Sequence, residues 1–104
     1  MKQVSNAFTC FMKEAPEQAE VWMEAVKKLD QASALDSKTE EIAYIAVLAA
    51  IGLLSGIPFH VKHAKELGVT REEIKSAVLL SLPAVGNKAI AVLPIALEAF
   101  DEEK

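Results

Sequence analysis

Residues 41–60 read EIAYIAVLAAIGLLSGIPFH, and the interpretation of this run decides the fold. No charged side chain occurs from Ile42 to Ile57. Ile42, Ile45, the run from Ala46 to Ile51, and Leu53 leave almost no polar face, which predicts a central helix buried on most of its sides. The run is shorter than the roughly 20 apolar residues a membrane span needs. It is also interrupted by Tyr44, Gly52, Ser55 and Gly56, so a membrane is not expected as a partner. Asp36 is placed to cap the helix, because its carboxylate can accept from first-turn N–H groups that have no helical partner. The predicted helix runs from there to about Leu54. Ser55-Gly56 followed by Pro58 then predicts a tight break and a fresh helical first turn, where proline is tolerated.

Working outward, residues 1 to about 14 carry Val4, Ala7, Phe8, Phe11 and Met12 at helical spacing. Pro16 opens a second helix in which Val21, Trp22, Ala25, Val26 and Leu29 form a stripe opposed by acids and lysines. On the C-terminal side, Gly68 is a plausible left-handed stop, and Thr70-Arg71-Glu72-Glu73 has the Thr-x-x-Glu form of a capping box. A fifth helix is expected towards Pro83, then a break at Gly86-Asn87 and a last helix to about Phe100, bent at Pro94. Strand alternation is nowhere evident. The prediction is an all-α domain of five to six helices, with residues 1–34 as N-terminal helices and 35–100 as the main body.

Two residue types in this frame carry chemistry. Glu41 shares a helical face with Tyr44, Ile45 and Leu48, so lost hydration would raise its pKa towards the range useful for proton transfer. The competing reading places it in water near the positive end of the helix dipole. His60 lies one turn into the following helix, and an antiparallel hairpin through Ser55-Gly56 would return it to the Glu41 helix, where a carboxylate could fix its tautomer. Its alternative is a core histidine donating to a backbone carbonyl. His63 follows on the same face and is a secondary candidate. A His-x-x-His pair can supply two metal ligands, but the sequence offers no matching third, so no metal is expected.

Composition narrows the function classes. Hydrophobic residues make up 52% of the 104 positions but aromatics only 6%, and the formal net charge is −4. Nucleic acid is not an expected partner, because there is no basic stripe. A single domain this small has little interior, so so much apolar surface predicts self-association. The N-terminal residues lack the features of a secretory signal, which suggests a cytoplasmic protein. Cys10 is the single cysteine, so no CxxC pair exists within the chain. Among Phe8, Phe11 and Met12 it reads as a small core residue.

Three segments carry a resemblance: Leu35-Asp36-Ser37-Lys38-Thr39-Glu40-Glu41-Ile42, His60-Val61-Lys62-His63-Ala64 and Gly68-Val69-Thr70-Arg71-Glu72-Glu73-Ile74. They are similar to the carboxymuconolactone decarboxylase family, which includes alkylhydroperoxidase D-like proteins, over about residues 35–100. Its redox members have the pattern Glu, eleven residues, Cys, two residues, Cys, three residues, His. Counted from Glu41, the corresponding positions here are Leu53, Gly56 and His60. The resemblance implies an all-helical bundle assembling as homotrimers or homohexamers, with Glu41 and His60 as proton-relay groups. It also implies that a peroxidase or peroxiredoxin label suits the redox members, whose thiolate is the nucleophile, better than it suits a chain without that thiolate. The expected activity is that of the decarboxylase branch, a lyase acting on a small organic acid or lactone without a cofactor. The alternative is a non-catalytic binding or assembly protein. Lys38, Lys62, Arg71 and Lys88 are available for an anionic substrate, and the family's Gly-rich segment is reduced here to Val85-Gly86-Asn87-Lys88.

Overall fold

A computed structural model describes residues 5–102. The expectation for Val4 therefore lies outside the described residues. Among those residues the chain is all-α, with seven α-helical segments and one 3-10 turn. The chain divides into two compact units, Met1–Asp36 and Ser37–Lys104.

The first unit holds α1 (Asn6–Glu14) and α2 (Pro16–Ala32). Ser5 caps α1, its hydroxyl accepting from the Phe8 N–H at 3.1 Å, and Pro16 opens α2 as its first residue, where a missing N–H costs nothing. Within α2 the apolar stripe exists but is not covered. Val21, Trp22, Met23, Val26 and Leu29 are all exposed, and Ala19 is the one buried residue of the helix. Cys10 also departs from expectation: it is exposed on α1 rather than packed as a core residue.

The second unit holds the main core. Its helices are α3 (Ser37–Ile51), α4 (Ile57–Glu66), α5 (Arg71–Leu79), the single turn α6 (Leu82–Val85) and α7 (Asn87–Asp101). α3 packs on α4 and α5, and α7 closes the group against α4 and α5. The core is built from helical spacings: Ile45, Leu48 and Ala49 on α3, Ile57, Val61 and Ala64 on α4, and Ile74, Ala77 and Val78 on α5. α7 contributes Ala89, Val92, Ala96 and Ala99, mostly small side chains that let it approach its neighbours closely.

α3 begins directly after Asp36 but ends at Ile51, three residues before the expected stop. Gly52 adopts φ +73, its N–H donates to the Ala49 carbonyl at 3.2 Å, and the Leu53 N–H donates back to the Leu48 carbonyl at 3.0 Å. This is the left-handed glycine closure that satisfies carbonyls at a helix end. The Leu54–Gly56 3-10 turn follows, and Pro58 occupies the first turn of α4 as the sequence implied. α3 is not buried on most sides. Ile45, Leu48 and Ala49 are buried, whereas Tyr44, Val47 and Ile51 on the opposite side are exposed.

α4 ends by the same device. Gly68 has φ +93, with its N–H on the Lys65 carbonyl and the Val69 N–H on the Ala64 carbonyl, both at 3.0 Å. Both halves of the Thr70–Glu73 capping box then form, at 3.1 and 2.9 Å. α5 stops at Leu79 rather than running to Pro83, because a proline has no N–H to give the Leu79 carbonyl and its ring would collide with it. α7 continues through Pro94, which lies on its exposed side. Its far end is tied down by Arg71, whose Nε and Nη2 each donate to the Asp101 carboxylate at 2.9 Å.

Two substitutions test this reading of the α4–α5 junction. No atom lies within 4 Å of a Cβ built at Gly68, so Gly68→Ala should cost only the left-handed backbone conformation, about 1 kcal/mol. Thr70→Ala should cost about 1 kcal/mol through the lost cap. Urea unfolding of each variant against the parent chain measures both.

Candidate functional site

The hairpin formed by α3 and α4 brings three sequence-predicted residues together. α3 places Glu41 on its second turn, and α4, running back after the break, presents His60 and His63 from one face, three positions apart. Glu41 Oε1 lies 3.0 Å from His60 Nδ1. Its other oxygen, Oε2, lies 2.8 Å from His63 Nδ1 and 3.3 Å from His60 Nδ1. One carboxylate therefore holds two imidazoles by the same ring atom. The spatial pairing of Glu41 with His60 follows the expected hairpin, and the reading of His60 as a core histidine on a backbone carbonyl is set aside.

The three side chains differ in access: Glu41 is 12% exposed, His60 25% and His63 43%. His60 is walled by aromatic edges. Tyr44 meets it with ring centroids 4.6 Å apart and Phe59 meets it at 5.1 Å, both in T-shaped contact. Phe59 also lies 6.3 Å from the His63 ring. Phe59 was not singled out from the sequence, since adjacent residues on a helix do not face each other and nothing marks one as a neighbour of the next. The His63 contact left a readable signal in its spacing from His60.

The electrostatics of Glu41 correct the sequence expectation. Burial does act to raise its pKa, and it is the largest single influence. Hydrogen bonds from His60 and His63, together with the charges those rings carry when protonated, outweigh it jointly. The carboxyl is consequently held below its ordinary value of 4.5 rather than raised. Glu41 is an ionised acceptor, not a proton donor poised near neutrality. A carboxylate can only accept, so each neutral imidazole keeps its hydrogen on Nδ1 and leaves Nε2 with a lone pair. Among the described residues neither Nε2 has a hydrogen-bond partner, so neither lone pair is committed within the chain.

The positions equivalent to the redox cysteines are occupied differently. Leu53 is exposed in the turn after α3. Gly56 is tightly placed, since a Cβ there would lie 3.3 Å from Leu48 Cδ1. The cations considered for an anionic substrate are largely committed elsewhere. Lys62 pairs with Glu102 at 2.7 Å, Arg71 with Asp101, and Lys38 sits 3.9 Å from Glu73. Lys88 makes no ion pair among the described residues, and its stem faces Gly52. Among the described residues no group of three or more His, Cys, Asp or Glu side chains is arranged to hold a metal. Nor is any helix there long and apolar enough to cross a membrane.

With this geometry in hand, comparison with known families is decisive on one point: the model of the carboxymuconolactone decarboxylase family matches residues 16–98. The chain belongs to that family. The match begins at the start of α2, earlier than the resemblance read from residue 35, and ends near the close of α7. No curated protein and no solved structure matches the chain.

For this family member the Glu41 linkage has a definite sign. A carboxyl whose folded pKa is depressed adds stability above its unfolded value, and that contribution is lost as pH falls through the folded value. The stability gap between the parent chain and Glu41→Gln should therefore be widest above pH 4.5 and close as the solution is made more acid. Urea midpoints measured in steps of pH read this directly, and a gap that stays constant contradicts it.

Proposed function

We propose that this family member is a cofactor-free acid-base enzyme, a decarboxylase or lyase acting on a small organic acid or lactone. The observation that carries the reading is the Glu41 carboxylate held by two Nδ1 atoms, at 3.0 and 2.8 Å, with both Nε2 atoms unpartnered. An imidazole so oriented takes a proton through Nε2, and the adjacent carboxylate stabilises the imidazolium that results. In a decarboxylation the carbon–carboxyl bond breaks, carbon dioxide leaves, and the electron pair stays on the substrate carbon. His60 Nε2, having first taken the proton of the substrate's carboxylic acid, returns it to that carbon, so the acid gives carbon dioxide and the protonated product. Tyr44 and Phe59 supply an apolar rim on which the uncharged part of such a substrate rests.

Tests on the purified chain follow from the assigned roles. Glu41→Gln and His60→Gln should each lower turnover of the responsive acid or lactone by about a hundredfold or more, the usual worth of a positioned acid-base group. Circular dichroism and urea midpoints establish that each variant is folded. Retention of full turnover in folded His60→Gln contradicts the reading. Cys10→Ser should leave any peroxide consumption unchanged, since the lone exposed thiol has no resolving partner in its chain.

A second reading, an assembly or binding protein on the same scaffold, is favoured by a different observation. Tyr44, Val47, Ile51 and Leu54 are all exposed and fall at spacings of three, four and three along and just beyond α3. A stripe of that kind asks for cover. We propose that it is covered by further copies of the chain in a homotrimer or homohexamer. Ile51→Glu should then lower the mass measured by light scattering towards that of one chain, whereas an unchanged mass removes this stripe from the contact.

A further inference from the structure

We propose that the Glu41–His60–His63 cluster also hydrolyses activated esters and lactones, with His63 as nucleophile and His60 as the base that completes turnover. The inference rests on the acid-base reading of the site and adds a covalent role for an imidazole that reading leaves idle. His63 forms the shorter contact with Glu41, at 2.8 Å, and is the more open of the two rings, 43% exposed against 25%. His60 packs against the rings of both Tyr44 and Phe59, at 4.6 and 5.1 Å between centroids, and is the more crowded of the two imidazoles. Among the described residues the aromatic ring beside His63 is that of Phe59, tilted and 6.3 Å away between centroids.

The chemistry balances with groups the site holds. The Nε2 lone pair of His63 attacks the carbonyl carbon, the bond from that carbon to the leaving oxygen breaks, and the oxygen departs with the electron pair as an alkoxide or phenolate. The acylated ring is then positively charged, and Glu41, accepting from its Nδ1–H, stabilises that charge. Water next attacks the acyl carbon and gives one proton to His60 Nε2. The carbon–nitrogen bond breaks, its electrons return to His63, and the acid is released. His60 passes its proton to the leaving oxygen, so the sum is ester plus water to acid plus alcohol. With a lactone, acid and alcohol are the two ends of one opened ring.

The test uses the full chain with p-nitrophenyl acetate, in a Cys10→Ser background because an exposed thiol is itself acylated. The Cys10→Ser chain should exceed 4-methylimidazole, at equal imidazole concentration, by at least about tenfold. Adding His63→Gln should return the rate to the small-molecule level. Adding His60→Gln should preserve the first acylation yet slow turnover by about tenfold, so that acyl groups accumulate on His63 and are located by mass spectrometry of the quenched protein. A rate no higher than 4-methylimidazole, or one indifferent to His63→Gln, overturns the proposal, as does acyl label found on His60 instead. If His60→Gln abolishes lyase turnover while His63→Gln leaves ester hydrolysis untouched, this inference fails alone. If Glu41→Gln changes neither reaction, the acid-base reading fails with it.

Discussion

The Glu41 carboxylate, nearly out of water and shared by two imidazoles, is the constraint on which the site depends. A carboxylate that is 12% exposed loses much of its hydration, and an unpaired charge in that position would be costly. Each of its oxygens instead meets a ring nitrogen at hydrogen-bond distance. The same contacts that offset burial also fix which nitrogen carries hydrogen on both rings, so solvation and chemical orientation are one effect. The downward displacement of the Glu41 pKa expresses this balance: burial alone pushes the other way. His60 alone reaches both oxygens, at 3.0 and 3.3 Å, and His63 adds the shortest contact, 2.8 Å to Oε2.

That triad depends in turn on how α3 and α4 are set against each other. Two helices joined by a longer or looser link would bring His60 back at a different level. Here Gly52 ends α3 through its left-handed conformation, one 3-10 turn follows, and Pro58 starts α4. Gly56 lets the chain pass close to Leu48, and the buried pair Ile57 and Val61 then continues the core along α4. His60 and His63 follow on the flank of that buried row, level with the second turn of α3. Gly56 is also the position at which redox members of the family carry a cysteine. In this chain a side chain there would press on Leu48, 3.3 Å from its Cδ1, so the turn packs closely around glycine.

Much of this was legible from particular residues. The glycine stop at Gly68, the capping box at Thr70 and the prolines at 16 and 58 each act through local backbone chemistry, which a sequence displays directly. Glu41 and His60 could be paired because a break of known place joins two helices whose periodicity gives their faces. The failures have physical reasons as well. Gly52 was read as part of the helix because an apolar run continues past it, and only the sign of φ reveals the stop. The Glu41 pKa was misjudged because burial was weighed alone, while the two histidine contacts that jointly outweigh it were not set against it. Burial of the far side of α3 and of Cys10 was overestimated because an apolar side chain shows that a surface needs cover without showing whether its own chain supplies it.

The last of those points joins the assembly to the chemistry. Tyr44 belongs to the exposed row on α3, and its ring also stands 4.6 Å from the ring of His60. Whatever covers that row must therefore border the site. In the proposed oligomer, a neighbouring copy laid along Val47 and Ile51 would remove water from one side of Tyr44 and so from the margin of His60, while His63, more open, would keep its access to solution. Lower hydration strengthens the attraction between an imidazolium and the Glu41 carboxylate. Self-association would then alter the hydration of the site as well as the stability of the fold, and the change would fall first on the His60 side, where Tyr44 stands.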